Sequence, residues 1–437
     1  MAGEFTATTG AGNLKDIFAE IKDVRGVADV LQTLAPFDPR KPGGTYKFPA
    51  ILSVGGGSVP SAFGTLPSSA VLAEGPVPAE VQFATAQGYN VSTPVVIPFD
   101  MMAASSNGGD AAYESVPDII ALTAKLGHER ELEVTNLLGQ FGLGVVGSIA
   151  GETSITDTRL GAGFYRDVTF SNATWSLGLW SSVDRHRFDF FDTTGATQRN
   201  TLGACSVIAV QPGGTARTVR FFYVTTATMT GVVATDKVWR RNFKTAGATS
   251  YAEALGLMGA LSVTASATNT VWGLSTAYTQ WSANIYDAGS GPLSFGKLAK
   301  ALQPAIARAV IKSKKMQVLC APNTWADLLR DLADLTRNTN PPPQTLKNGA
   351  SSIEYVLESG PVQVVVHPYM PDGYAIAFPE GTTRRIGAQE PTTSIAGTEL
   401  QVMSSTTNAV ETRVYSNQAI INRMLGACTL IQNIVND

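Results

Sequence analysis

One stretch has the spacing of a phosphate-binding loop: Gly291-Pro-Leu-Ser-Phe-Gly-Lys297-Leu298. In such a loop backbone N–H groups cradle phosphate oxygens, the lysine reaches the terminal phosphates, and a following Ser or Thr hydroxyl binds Mg²⁺. Here Leu298 stands where that hydroxyl is needed, and Pro292 removes one of the donors. A turn capped by Ser294 ahead of an amphipathic helix accounts for the same residues. The histidines are scattered as His128, His186 and His367. His186 sits in Asp184-Arg-His-Arg-Phe-Asp189-Phe-Phe-Asp192, but Arg185 and Arg187 repel a cation and no second histidine is near. His128, among helical charges, reads as solvated, and His367, before Pro368, as structural. Cys205, Cys320 and Cys428 are odd in number and far apart, which gives neither a disulfide framework nor a metal knuckle. Buried free thiols in a reducing compartment are expected. The basic cluster Lys312-Ser-Lys314-Lys315 ends a helix, where cations favour the dipole. No catalytic residue, no metal ligand set and no cofactor is therefore expected.

The elements that would carry these residues follow from composition and periodicity. The 437 residues suffice for two or three domains. Charged residues are only 15% and hydrophobic ones 44%. That balance suits a protein that buries its outside against copies of itself, and equally a β-rich chain with many turns. A net charge of −3 excludes a global basic field for tight nucleic-acid binding. The first residues lack the basic and apolar regions of a signal peptide, and no run approaches a transmembrane length, so no membrane partner is expected.

The longest helical reading is Pro117 to Phe141. Ser115 can cap it, Pro117 fits its first turn, and Gly142 and Gly144 offer a left-handed stop. Ile119, Leu122, Leu126, Val134, Leu137 and Phe141 share a face, while Lys125, Glu129, Arg130, Glu131 and Glu133 occupy the others. This helix reads as a spine with its charged side outward. Before it, residues 1–47 form an arm with an amphipathic stretch from Leu14 to Leu31. Residues 48–97, nearly free of charge, form a projecting hairpin that a partner must cover. After it, residues 151–249 hold short strands at turn spacing, a small sandwich or barrel, with Gln211-Pro-Gly-Gly joining two of them. Residues 250–390 alternate helices and strands. They include an amphipathic helix interrupted at Pro304, the buried strand MQVLCAP, and a hairpin over 360–379 around Pro371-Asp372-Gly373. Residues 391–437 alternate again, a strand pair returning to the spine.

Three stretches in this order carry a resemblance. The first runs from Tyr89 (YNVSTPVVIPFD) through the spine to Gly142. The second runs from Leu293 to Leu332. The third is GPVQVVVHPYMPDGYAIAFPEGTTRRIG, from Gly360. Together they resemble the major capsid protein of tailed double-stranded DNA bacteriophages, the Hong Kong 97-like fold. The resemblance implies an α+β fold with these parts: an N-terminal arm at 1–47, an extended β-hairpin (E-loop) at 48–97, a peripheral domain with the spine helix at 98–150, a β-rich insertion domain at 151–249, an axial domain at 250–390, and return strands of the peripheral domain at 391–437. It also implies self-assembly into hexamers and pentamers of an icosahedral head around double-stranded DNA bound without sequence specificity. Portal and possible scaffolding or decoration proteins would be partners. The location would be the virion, with assembly in the host cytoplasm.

Some members crosslink through a lysine on the hairpin. Residues 48–97 contain no lysine, so noncovalent shells are expected. Glu74 and Glu80 are the charges near the hairpin tip, and Arg384 and Arg385 of an adjacent subunit could receive them. Two alternatives remain at this stage: an encapsulin-type cargo shell, and a nucleotide-binding enzyme using residues 291–298.

Overall fold

The computed structural model describes residues 30–39, 45–53, 79–98, 116–181, 183, 186–247, 251–309, 315–338, 352–357, 360–392, 394–395, 398–399, 401–403 and 409–436. Most of the amphipathic arm stretch, the hairpin tip with Glu74, Ser115, Asp184, Arg185 and Lys312 to Lys314 lie outside them.

The arm ends in a short helix, α1 (Val30–Leu34), and a strand, β1 (Phe37–Pro39). Next, β2 (Tyr46–Ser53) and β3 (Glu80–Ala86) pair antiparallel, with Pro49 opposite Phe83 and Ile51 opposite Val81. The period of two sends Tyr46, Phe48, Ala50 and Leu52 inward. The hairpin departs from the expected shape, because its return strand breaks at Gln87-Gly88. A Cβ on Gly88 would lie 2.6 Å from Asn417 Oδ1 and 2.7 Å from the Tyr46 ring, so the chain crosses there only without a side chain. The continuation, β4 (Tyr89–Pro98), joins a different sheet.

The spine is α2 (Val116–Leu138). It stops through Gln140 (φ 62°) and Gly142 (φ 95°). From Leu132 to Leu138 every side chain is buried, whichever way it points. This corrects the outward charged side at Glu133: the last two turns of the helix are enclosed on all faces.

The β-rich unit after the spine comprises β5 (Gly144–Ile149), β6 (Thr153–Asp157), β7 (Gly161–Phe170), the one-turn α3 (Leu177–Trp180), β8 (Arg187–Phe191), β9 (Cys205–Val210), β10 (Thr218–Tyr223) and β11 (Lys237–Arg240). The strands run in the order β10-β9-β8-β11-β5-β7, and β7 pairs back to β10. The ring is therefore closed, a barrel, with β6 added outside β7. It includes Gly144–Ile149, upstream of 151. Phe170, Trp180, Phe188 and Phe221 fill it, the Phe170 and Trp180 rings stacking at 4.7 Å.

A second short helix, α4 (Leu257–Leu261), precedes the small hairpin β12 (Thr270–Val271) and β13 (Leu274–Ser275). Trp272 of that turn and Trp281 each lie 6.1 Å from Phe48, and Thr85 N donates to Trp272 O at 2.7 Å. These contacts seat the inner face of β2 and β3.

The remaining elements are β14 (Asn284–Gly291), α5 (Phe295–Ala309), β15 (Met316–Cys320), α6 (Pro322–Asn338), β16 (Ser352–Leu357), β17 (Gly360–Val366), β18 (Ala375–Pro379), β19 (Thr383–Thr392), β20 (Ser394–Ile395), β21 (Thr398–Glu399), β22 (Gln401–Met403), β23 (Ala409–Asn422) and β24 (Thr429–Ile434). The helix α5 runs through Pro304 without a break. One six-stranded sheet has the order β14-β24-β18-β15-β17-β16. Two expectations are corrected here. The 360–379 segment is not a hairpin: β17 and β18 flank β15 on opposite sides. All five residues of β15 are buried, so both of its edges need ladder partners. The last strand, β24, belongs to this sheet and not with the returning strands. The other sheet is built around β23, which pairs with β4 along ten residues and with β19, β1 extending it in parallel. The returning strand thus closes the spine's sheet, as the alternation after Thr398 predicts.

Candidate functional site

The 291–298 loop folds as a cap and offers no phosphate cradle. Ser294 Oγ accepts Lys297 N at 3.3 Å, and Lys297 Nζ donates to Pro292 O at 2.9 Å. Phe295 N, a free donor at a helix start, is taken by Asp331 Oδ2 at 2.8 Å. A carboxylate of the same chain therefore stands where a phosphate would, and Leu293, Phe295 and Leu298 are buried.

His128 and His367 are structural joints. His128 is fully buried, correcting the solvated reading. Its Nδ1 lies 2.9 Å from Thr93 Oγ1 and its Nε2 2.8 Å from Ser416 Oγ, which ties α2 to β4 and β23. Burial lowers its pKa to about 4, so it is neutral at pH 7. His367 accepts Tyr369 N on Nδ1 at 3.2 Å, which leaves Nε2–H to donate to Glu133 at 3.1 Å. Cys205, Cys320 and Cys428 are buried, free and pushed up in pKa by burial, the opposite of nucleophilic thiols. Among the described residues no cluster of three His, Cys, Asp or Glu could hold a metal, and no helix is long and apolar enough to cross a membrane.

The spine's charges hold other elements in place. Glu133, wholly buried, accepts Leu31 N at 2.5 Å, so it satisfies the start of α1. Arg385, also buried, donates to Ala35 O at 2.9 Å and Gln32 O at 3.5 Å at the other end of α1. It also reaches Gln418 Oε1 at 3.1 Å and Glu390 Oε1 at 3.2 Å. The arm is thus anchored by an anion at the amino end of α1 and a cation at its carboxyl end. Arg130 binds the carbonyls of Gly178, Leu179 and Ser181 around α3, and Glu131 pairs with Arg240 of the barrel.

The expected contact residues are dispersed. Glu80 is engaged at the tip-side end of the paired ribbon, accepting Tyr278 O–H at 2.7 Å and Gln82 Nε2 at 2.6 Å. Arg384 lies beside β1, 3.9 Å from Asp38, with a side chain 39% exposed. Arg385, given its burial and four acceptors, serves the arm inside the chain.

Sequence reasoning expected a covered hairpin within 48–97 without naming its residues; the exposed apolar ones lie on the outer face of β2 and β3. Ile51 is 61% exposed, Phe83 63% and Val81 54%, with Pro49 opposite Phe83. A two-stranded ribbon with apolar residues on both faces buries only one of them. The signal was readable: Phe48, Ala50 and Leu52 alternate with Pro49 and Ile51, so neither face is polar. Chemically this face offers burial, worth about 1.5–3 kcal/mol for each large side chain covered.

No protein-family model matches the sequence. No curated protein matches it either. Solved structures do. The capsid asymmetric unit of cyanophage A-1(L) aligns with a TM-score of 0.52 at 12% identity, covering 94% of this chain and 94% of that one. The capsid of an empty GTA particle aligns with a TM-score of 0.44 at 10% identity, covering 94% and 92%. The holo-SrpI encapsulin of Synechococcus elongatus PCC 7942 aligns with a TM-score of 0.40 at 9% identity, covering 96% and 95%. The mixed α+β chain described here has the fold of the phage capsid proteins.

Proposed function

We propose that this chain is the major capsid protein of a tailed, double-stranded DNA phage. In this reading it self-assembles into hexamers and pentamers of an icosahedral head and performs no catalytic step. The end-to-end fold likeness to a cyanophage capsid subunit carries the reading. The exposed apolar face of β2 and β3 supports it, because a neighbouring subunit would cover Pro49, Ile51, Val81 and Phe83. Each such contact is modest, and closing a ring multiplies them. The shell is held noncovalently. Arg384 of one subunit receives Glu74 or Glu80 of another, while Arg385 positions the arm beside it. DNA fills the interior without sequence-specific contacts, and portal, scaffolding or decoration proteins complete the particle, which is assembled in the host cytoplasm. The test is electron microscopy of the purified full chain. Rings or closed shells are expected. A protein that stays monomeric at all concentrations and salts refutes the assignment. Shells that package a protein cargo instead of DNA transfer it to an encapsulin-type container.

A further inference from the structure

Where the spine ends, two backbones touch. Gly256 N donates to Gly139 O at 3.0 Å, and a Cβ on Gly256 would lie 2.5 Å from Gly139 N. A Cβ on Gly139 would overlap Ala254 O. No side chain separates the end of α2 from the segment that leads into α4. Glu253 is held in this crossing, only 7% exposed. Its Oε1 accepts Gln140 N at 2.8 Å, and its backbone O accepts Gln140 Nε2 at 3.1 Å. A small cavity of about 10 Å³ adjoins it, lined by Thr135, Leu138, Trp239 and Arg240.

The charged and titratable groups facing Glu253 come from each neighbouring element: Glu131 from α2, Arg240 from β11, Lys244 and Tyr251 from the segment after β11, and Tyr89 from β4. Both cations are engaged elsewhere. Arg240 pairs with Glu131. Lys244 Nζ donates to Gly247 O at 3.0 Å and sits among Phe191, Trp239 and Tyr251, 3.8 Å from the Tyr251 centroid. An ionised Glu253 therefore faces Glu131, away from water, on a backbone that the glycine contacts prevent from retreating.

We propose that Glu253 is a proton-controlled latch on the joint between the end of the spine helix and the segment leading into α4, closed while its carboxyl is neutral and loosened when it ionises. Burial first, and Glu131 as a smaller contribution, raise its pKa from 4.5 to about 7 against the opposing pull of the Gln140 N–H, Arg240 and Lys244. The folded value lies above the open one, so the joint is tightest in mild acid and weakens as pH rises through neutrality. With these two values, linkage raises the opening constant about 70-fold between pH 5 and pH 8.

The test is amide hydrogen exchange of the full chain, read at Gln140 and corrected for the intrinsic pH dependence of exchange. In the wild type the opening constant rises with the expected magnitude, and in Glu253→Gln it stays flat. A flat wild-type profile, or a variant that follows the wild type, overturns the proposal. A ¹³C titration of the Glu253 carboxyl, which needs no variant, is expected to show a midpoint near 7. A midpoint at the ordinary 4.5 overturns it.

Discussion

The clamp on α1 makes a quantitative prediction. Arg385→Met keeps most of the aliphatic volume but removes every donor. It strands Ala35 O and Gln418 Oε1, both in buried residues, and loosens Gln32 O. An orphaned buried acceptor costs about 1–3 kcal/mol. Two of them, together with the small contribution of the ion pair to exposed Glu390, give a destabilisation of about 2–6 kcal/mol. Glu390→Gln is the control. Its carboxylate is 52% exposed, so removing its charge should cost less than about 1 kcal/mol. The assay is urea unfolding of unassembled subunits, paired with hydrogen exchange at Leu31 and Ala35. Arg385→Met should lower the urea midpoint and release both amides, and Glu390→Gln should do neither. If the two variants cost the same, Arg385 acts as an ion-pair partner and the carbonyl clamp is wrong. If Arg385→Met leaves the Ala35 amide protected, α1 is held by its apolar contacts alone.

Three further outcomes are expected. Because the folded pKa of His128 is depressed to about 4, its contribution is full above 6.5 and is lost as pH falls from 6.5 toward 4. His128→Gln should flatten that part of the acid unfolding curve by about 2–3 kcal/mol relative to wild type, and a parallel curve would show that other groups control it. Phe83→Glu combined with Ile51→Glu should leave the melting temperature of subunits within a few degrees of wild type and abolish shells in micrographs; intact shells would remove this face from the assembly. Denaturing gels of assembled particles should show a single monomer band, and a ladder of covalent multimers would contradict noncovalent closure.

Local signals and nonlocal burial were unequally legible. The barrel strands could be read because aromatic and β-branched runs such as Arg187–Phe191 and Thr218–Tyr223 are bounded by turns like Gln211-Pro-Gly-Gly, and the observed hairpin uses that turn. The spine could be read from its length and its glycine stop. The roles of His128 and Glu133 could not, because their partners Ser416, Leu31 and His367 lie 288, 102 and 234 residues away. Helical periodicity assigns a charged residue to the outside, and that holds only for a helix with an outside. The 360–379 segment misled for a related reason. Pro371-Asp372-Gly373 makes a turn, but the strands on either side receive a third strand between them, and adjacency in sequence does not reveal it. At the hairpin, charge drew attention to Glu74 and Glu80, whereas the geometry singles out uncharged Pro49, Ile51, Val81 and Phe83.

The placement of β23 and β24 has a consequence for synthesis. Each is an interior strand of its sheet: β23 lies between β4 and β19, and β24 between β14 and β18. Both lie after residue 408, far in sequence from most of the strands they join. Until residues 409–434 emerge, the two sheets lack the strands that join their halves, although the barrel, contained within residues 144–240, can already close. A chain synthesised only to that point carries a finished barrel on an open body. A chain cut before Ala409 should therefore behave as an unfolded protein in spite of its closed barrel.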